Sequence, residues 1–216
     1  MAEFNHLFDQ WAGNYDNTVY GDDNEYAEVF EGYSKILSYV CDSIVDKSNG
    51  AILEIGVGTG NLTKELVDKN FNVIGIEPSK EMRKIAMSKL PRVPIFDGHF
   101  LDIPIAKSFD GIVTSYAFHH LTLQEKKEAI TYLDAFLKPA GKLVIADTMF
   151  ESPEYKKALH QHVKNSEAYG LLEDLRSEYY EYVDDIKKVL HDLGYSLEAK
   201  KMNKYVWIIT ASKGTI

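Results

Sequence analysis

Three glycines stand at alternate positions in Gly56-Val57-Gly58-Thr59-Gly60, directly after the apolar run Ala51–Ile55. Glycine permits positive φ and lets a ligand touch bare backbone, so this turn suits a ligand held against main-chain N–H groups. Glu77 follows a second apolar run, Asn72–Ile76. A carboxylate at such a strand end accepts hydrogen bonds from both hydroxyls of a ribose. The dinucleotide fingerprint G-x-G-x-x-G needs its third glycine at position 61, where this chain has Asn61. No Lys-Ser/Thr pair follows the glycines, so a P-loop is also excluded. His119 and His120 are adjacent, past a fourth apolar run. An imidazole there is suited to deprotonating a bound acceptor. Adjacent histidines lack the i, i+4 spacing of a helical metal site, and the sequence shows no partner cluster, so no metal is expected.

The elements around these residues alternate. Residues 24–47 carry Val29, Tyr33, Ile36, Leu37, Val40 and Ile44 at helical spacing. Strands are expected at 51–56, 72–77, 93–96, 109–116 and 142–148. Helices are expected at 61–70, 79–90 with Ser79 as N-cap, and 122–137 ended by a turn at 138–141. Such alternation implies right-handed βαβ units and a parallel sheet covered on both faces. After Phe150 the pattern changes to a polar, helical stretch over 151–180. A last helix at 183–194 precedes strands at 195–201 and 204–212. The two-residue Met202-Asn203 link forces those strands antiparallel. The fold class is therefore α/β: a Rossmann-like, seven-stranded, mostly parallel sheet with a C-terminal antiparallel hairpin and helical lid segments.

"LEIGVGTGNLT" followed by "GIEPSKEM" resembles the first two motifs of class I S-adenosylmethionine-dependent methyltransferases. Three further segments resemble that superfamily in order: "FDGHFLDIP" after strand three, "FDGIVTSYAFHHL" at strand four, and "LKPAGKLVIAD" at strand five. "LFDQWAGNYD" resembles the lead segment of the UbiE-like subgroup, and the whole chain is similar to the small bacterial YrrT-like methyltransferases. The resemblance implies S-adenosyl-L-methionine as cofactor, held by Tyr15, Glu54, Gly56, Gly58, Gly60, Glu77, Pro78, His99, Phe100 and Tyr116. His99 departs from the pattern, because the adenine segment usually carries Asp there; Asp97 or Asp102 is the alternative acceptor. Tyr116 and Phe118 are expected as aromatic faces near the sulfonium. His119 and His120 are the candidate catalytic residues.

The implied reaction is in-line attack on the sulfonium methyl, with a small-molecule methyl acceptor. The alternatives are a non-catalytic S-adenosylmethionine-binding or regulatory domain, and a nicotinamide-dependent Rossmann reductase. The formal charge of −9 argues against nucleic acid as partner. Cys41 is the only cysteine, which excludes an internal disulfide and a cysteine-cluster metal site. No segment reaches the roughly 18 apolar residues of a membrane span. A cytoplasmic monomer or homodimer is expected. One methyltransferase domain over 1–216 is expected, with 1–50 as a helical cap, 51–148 as the cofactor core, 149–182 as a helical insertion and 183–216 as the closing helix and hairpin. The cap and the insertion, with Tyr20, Tyr169, Tyr179, His160 and His162, are expected to cover the pocket.

Overall fold

The computed structural model describes residues 9, 11–21, 25–44 and 49–214. Its seven strands are β1 (Ala51–Ile55), β2 (Asn72–Ile76), β3 (Ile95–Phe96), β4 (Phe109–Ser115), β5 (Leu137–Thr148), β6 (Ser196–Lys201) and β7 (Val206–Ser212). They form one sheet in the order β3-β2-β1-β4-β5-β7-β6. Every pair is parallel except β5–β7 and β6–β7. The order reverses between β1 and β4, which is the switch point where a doubly wound sheet opens a crevice.

Both sheet faces are buried, and the period-2 alternation of the strands shows how. Ile52, Val113 and Val144 join one core with Ile36, Leu37 and Val40 of α2 (Tyr33–Ile44) and Leu62 and Leu66 of α3 (Asn61–Asp68). Their neighbours Leu53, Ile112 and Ile145 point the other way. These meet Ile130 and Leu133 of α5 (Leu123–Asp134) and Ile186 and Leu190 of α8 (Val183–Asp192). Continuous apolar strands, rather than alternating ones, are what this two-sided burial requires.

Local signals set the helix starts. Ser79 caps α4 (Lys80–Lys89) by accepting from the Met82 N–H at 3.2 Å. Thr122 and Glu125 form a reciprocal capping box at the start of α5. Several expected boundaries move. The helix expected over 24–47 is confined to Tyr33–Ile44, and residues 24 and 45–48 lie outside the described residues. Residues 25–32 are turns because tertiary bonds claim them. Glu25 accepts from the Gly170 and Leu171 N–H groups, and Glu28 meets Lys204 and His162. The helix expected to run to 137 stops at Asp134, and Leu137 pairs with Phe109 to begin β5. The 138–141 turn is absorbed as an irregularity in that strand pair. The final helix stops at Asp192, short of 194.

The insertion expected after β5 contains α6 (Pro153–Asn165) and α7 (Tyr169–Ser177). The described part of the N-terminal segment contains α1 (Tyr15–Tyr20). Among the described residues no helix is long and apolar enough to cross a membrane.

Candidate active site

The glycine turn leaves β1 at the switch point and lines a cavity of ≈ 330 Å³. That volume lies at the small end of the range for ligand pockets, about 300–1,000 Å³. Tyr15, Gly56, Gly58, Glu77, Pro78, His99, Phe100, Tyr116 and His120 all line it. Residues from five separate stretches of sequence therefore converge on one space.

Gly56 has φ of +76°, and a Cβ there would sit 2.5 Å from the Ala117 Cβ. The turn after β1 is thus pressed against the loop after β4. Gly58 has φ of +57° with open space where a Cβ would be, which leaves its main chain bare on the cavity side. Its N–H donates to Glu77 Oε2 at 2.7 Å, and the Ser79 N–H donates to Oε1 at 2.8 Å. Two backbone donors therefore fix the carboxylate before any ligand arrives. Glu77 is 5% exposed, so it is a buried floor residue rather than a rim residue. Burial raises its pKa, against the pull of the Gly58 and Ser79 N–H groups and Arg83.

Four expected site residues lie off the cavity. Glu54 is 1% exposed, and its Oε2 accepts from the Thr63 hydroxyl at 2.6 Å. Its side chain ties β1 to α3 and does not line the cavity. Gly60 packs the start of α3 against α4, where a Cβ would meet Leu90 Cδ1 at 3.1 Å and Ala86 Cβ at 3.4 Å. His119 turns toward the sheet: its backbone N–H donates to Asp147 Oδ2 at 2.8 Å, and its Nδ1 lies 2.8 Å from Asp147 Oδ1. Phe118 is buried against Phe100, with ring centroids 5.3 Å apart, and presents no face to the cavity.

His99 lines the cavity, and its Nδ1 accepts from the Leu101 N–H at 3.2 Å. That bond places the ring proton on Nε2, so His99 offers the cavity a donor, not the acceptor an Asp would offer. Asp97 is held by Arg83 at 3.0 Å and does not line the cavity; neither does the exposed Asp102.

The sequence missed several lining residues. Tyr33, expected as core only, reaches the cavity beside Tyr116, with centroids 5.6 Å apart. Tyr116 has φ of +52° and a buried hydroxyl with no partner among the described residues. A strained non-glycine residue with an unpaired buried polar atom, at a pocket wall, marks a place prepared for a ligand. Tyr179, expected in the cover, does line the cavity, beyond the C-terminal end of α7. No local pattern marks Tyr33 as a lining residue, because it is placed by packing between distant segments. Of the other expected covering residues, Tyr20 and Tyr169 are exposed, and His162 pairs with Glu28 at 2.9 Å, away from the cavity. His160 also does not line it.

The Glu54 carboxyl carries a pH signature. Burial pushes its pKa up to about 8, opposed by the Thr63 hydrogen bond and aided by the Glu77 charge. A raised carboxyl pKa means the folded state holds a proton that the unfolded chain has released. Stability is then full below about pH 4.5 and falls as pH rises toward 8, by an amount on the order of a few kcal/mol. Glu54→Gln keeps an acceptor for Thr63 and removes the titration. The parent should lose urea midpoint between pH 5 and 9, and the variant should lose much less. Equal slopes would show that Glu54 stays ionised in the fold.

The comparisons with known proteins bear on what this cavity serves. The family described as methyltransferase domain matches residues 52–141. An uncharacterized methyltransferase of Alkaliphilus oremlandii is 64% identical, over 99% of each chain. The chain belongs to the YrrT-like methyltransferases. The uncharacterized methyltransferase YrrT of Halobacillus halophilus is 45% identical, again over 99% of each chain. The magnesium protoporphyrin IX methyltransferase of Synechocystis, solved with S-adenosylmethionine bound, shares the fold. Its TM-score is 0.72 at 16% identity, covering 99% of this chain and 96% of that one. Family membership sets aside the nicotinamide reductase alternative.

Proposed function

We propose that this YrrT-like methyltransferase transfers the methyl group of S-adenosylmethionine to a small polar metabolite in the cytoplasm. The observation that carries the reading is the Glu77 carboxylate, fixed by the Gly58 and Ser79 N–H groups on the floor of the glycine-turn cavity. In this reading the ribose hydroxyls donate to the remaining lone pairs of Glu77. The adenine lies along Pro78, His99 and Phe100, with the His99 Nε2–H donating to a ring nitrogen. The methionine end lies over Gly56 and Gly58 toward Tyr15, Tyr33 and Tyr116. Those tyrosine faces stabilise the sulfonium by about 0.5–2 kcal/mol each. The cofactor brings an activated methyl, and the protein's task is alignment, which is worth about 7–11 kcal/mol of the barrier.

Calorimetry with S-adenosylmethionine, S-adenosylhomocysteine and NADH tests this directly. Binding of the first two and not the third is expected. NADH binding without either adenosyl ligand would refute the cofactor assignment. Labelled-methyl transfer across a metabolite panel then separates an enzyme from a binding domain.

The N-terminal segment and the insertion act as a cover in this reading. Asp16 joins α1 to the glycine turn: its Oδ1 accepts from the Thr59 hydroxyl at 2.6 Å and the Asn61 amide at 3.1 Å, and its Oδ2 meets Lys89. Tyr26 bonds Asp174, and Glu25 bonds the start of α7, so the two covering pieces are linked to each other. A closed cover excludes water from the methyl and suits a small acceptor. Limited proteolysis should cut residues 11–31 and 151–181 more slowly with S-adenosylhomocysteine bound, while cutting in the core is unchanged. Cleavage indifferent to ligand, with methyl transfer to intact protein or RNA, would contradict the cover and the small acceptor together.

A further inference from the structure

His120 lines the cavity, and its Nδ1 lies 3.2 Å from Glu178 Oε2. Glu178 is the residue that ends α7, so the insertion after β5 delivers it. The segment is locked to the histidine loop on both sides of that contact. The Tyr179 N–H donates to the His119 carbonyl at 3.1 Å, Tyr180 stacks on His119 at 4.8 Å, and Lys126 donates to the Tyr179 carbonyl.

We infer that Glu178 is a positioning residue that holds His120 as a general base at the acceptor end of the cavity, so that the acceptor is a protic nucleophile, a thiol or an acidic hydroxyl. The inference rests on the methyltransferase reading and goes further by naming the base, its partner and the acceptor chemistry. A carboxylate on Nδ1 selects the tautomer with the proton on Nδ1, and Nε2 is then the nitrogen that takes a proton. In the step, the acceptor heteroatom bonds to the methyl carbon while the carbon–sulfur bond breaks and its electron pair stays on sulfur. The acceptor proton passes to His120 Nε2, and the Glu178 carboxylate stabilises the imidazolium. That proton leaves to water with the products.

The surrounding charges keep the two histidines in different states. Burial works against the charged form of His119, but the adjacent Asp147 carboxylate more than offsets it and holds His119 up. Burial and the His119 charge push His120 down, with Glu178 and Asp147 opposing. Glu125 lines the same cavity from α5, and Lys126 beside it faces the histidine loop with Glu181 on its ammonium. The Asp147 carboxylate thus favours the charged form of His119 on the sheet, while burial favours the neutral form of His120 at the cavity, the separation that acid–base assignment looks for. An imidazole base is matched to acceptors whose own pKa lies within a few units of it, which covers thiols and acidic hydroxyls and leaves out aliphatic alcohols.

The test uses the full chain with ¹⁵N-labelled histidine and S-adenosylhomocysteine, with His120→Gln to assign the resonance. At pH 7.5 the His120 ring should be neutral with the proton on Nδ1. Glu178→Ala should abolish that tautomer preference and lower the His120 titration midpoint. Glu178→Gln should keep the tautomer through its amide oxygen and still lower the midpoint. An unchanged His120 titration in both variants would overturn the inference. So would saturable Zn²⁺ binding by the His120–Glu178 pair in the parent. In parallel, labelled methyl is offered to a thiol, a phenol and a tertiary amine. Transfer to the thiol or phenol should fall about 10²- to 10⁴-fold in His120→Ala, with S-adenosylhomocysteine affinity unchanged. Transfer to the thiol or phenol at a rate indifferent to His120→Ala would also overturn it, as would transfer to the tertiary amine alone. Failure of the parent to bind S-adenosylhomocysteine would instead count against the cofactor reading.

Discussion

Glu77→Ala is expected to weaken S-adenosylmethionine binding about 10- to 150-fold. Hydrogen bonds to a charged acceptor contribute roughly 1.5–3 kcal/mol, and each 1.4 kcal/mol is a factor of ten. The substitution has a second effect that a surface carboxylate would not show. Glu77 is 5% exposed and accepts from the Gly58 and Ser79 N–H groups. Alanine leaves the buried Ser79 donor unpaired, which costs about 1–3 kcal/mol of stability. Glu77→Gln separates the two effects. Its amide oxygen can still accept one backbone N–H, so it should hold most of the stability while losing most of the ribose interaction. Calorimetric Kd and thermal midpoints on the three proteins decide the matter. If both variants bind as tightly as the parent, the ribose does not lie on Glu77.

Gly56→Ala should be the most damaging single methyl group that can be added to the glycine turn. Alanine at φ of +76° is strained by about 1–2 kcal/mol. Its Cβ would also fall 2.5 Å from the Ala117 Cβ, a contact the backbone must move to relieve, and such overpacking costs about 1–3 kcal/mol more. The displaced backbone is the one that carries Ser115, Tyr116 and Ala117 along the cavity wall, so cofactor affinity should fall with stability. Gly58→Ala is the control. It carries the same left-handed strain at φ of +57° but meets nothing within 4 Å. It should lose only about 1–2 kcal/mol of stability, yet still weaken binding because its methyl intrudes where the ligand approaches the backbone. Urea titration and S-adenosylhomocysteine calorimetry on both variants measure this. Equal stability loss in the two would mean that the Ala117 contact relaxes at no cost.

The sequence determined the sheet and the floor of the cavity in this protein, because both depend on short-range patterns. Apolar runs with no alternation imply strands buried on both faces, and Ile52 and Leu53 do point to opposite cores. Gly56 and Gly58 were legible because glycine takes a positive φ at the least cost, and Glu77 because it follows the next strand at a fixed distance in the βαβ unit. Tertiary structure decided which neighbours of these residues reach the cavity. Glu54 sits in the leading position of the glycine motif, yet its rotamer turns to Thr63. His119 and His120 are equivalent in sequence, but the buried Asp147 takes one and Glu178 takes the other. Asp147 is 28 residues from its histidine and Glu178 is 58 from its own, so no spacing rule joins them. The same holds for the cover. Its helical periodicity was readable over 33–44, but residues 25–32 exchange helical bonds for contacts with α7 and the turn between β6 and β7, which only the folded chain brings near. Periodicity reports the environment of a segment averaged over a turn or a strand. The identity of the partner across a cavity depends on where separate segments cross, and that is set by packing.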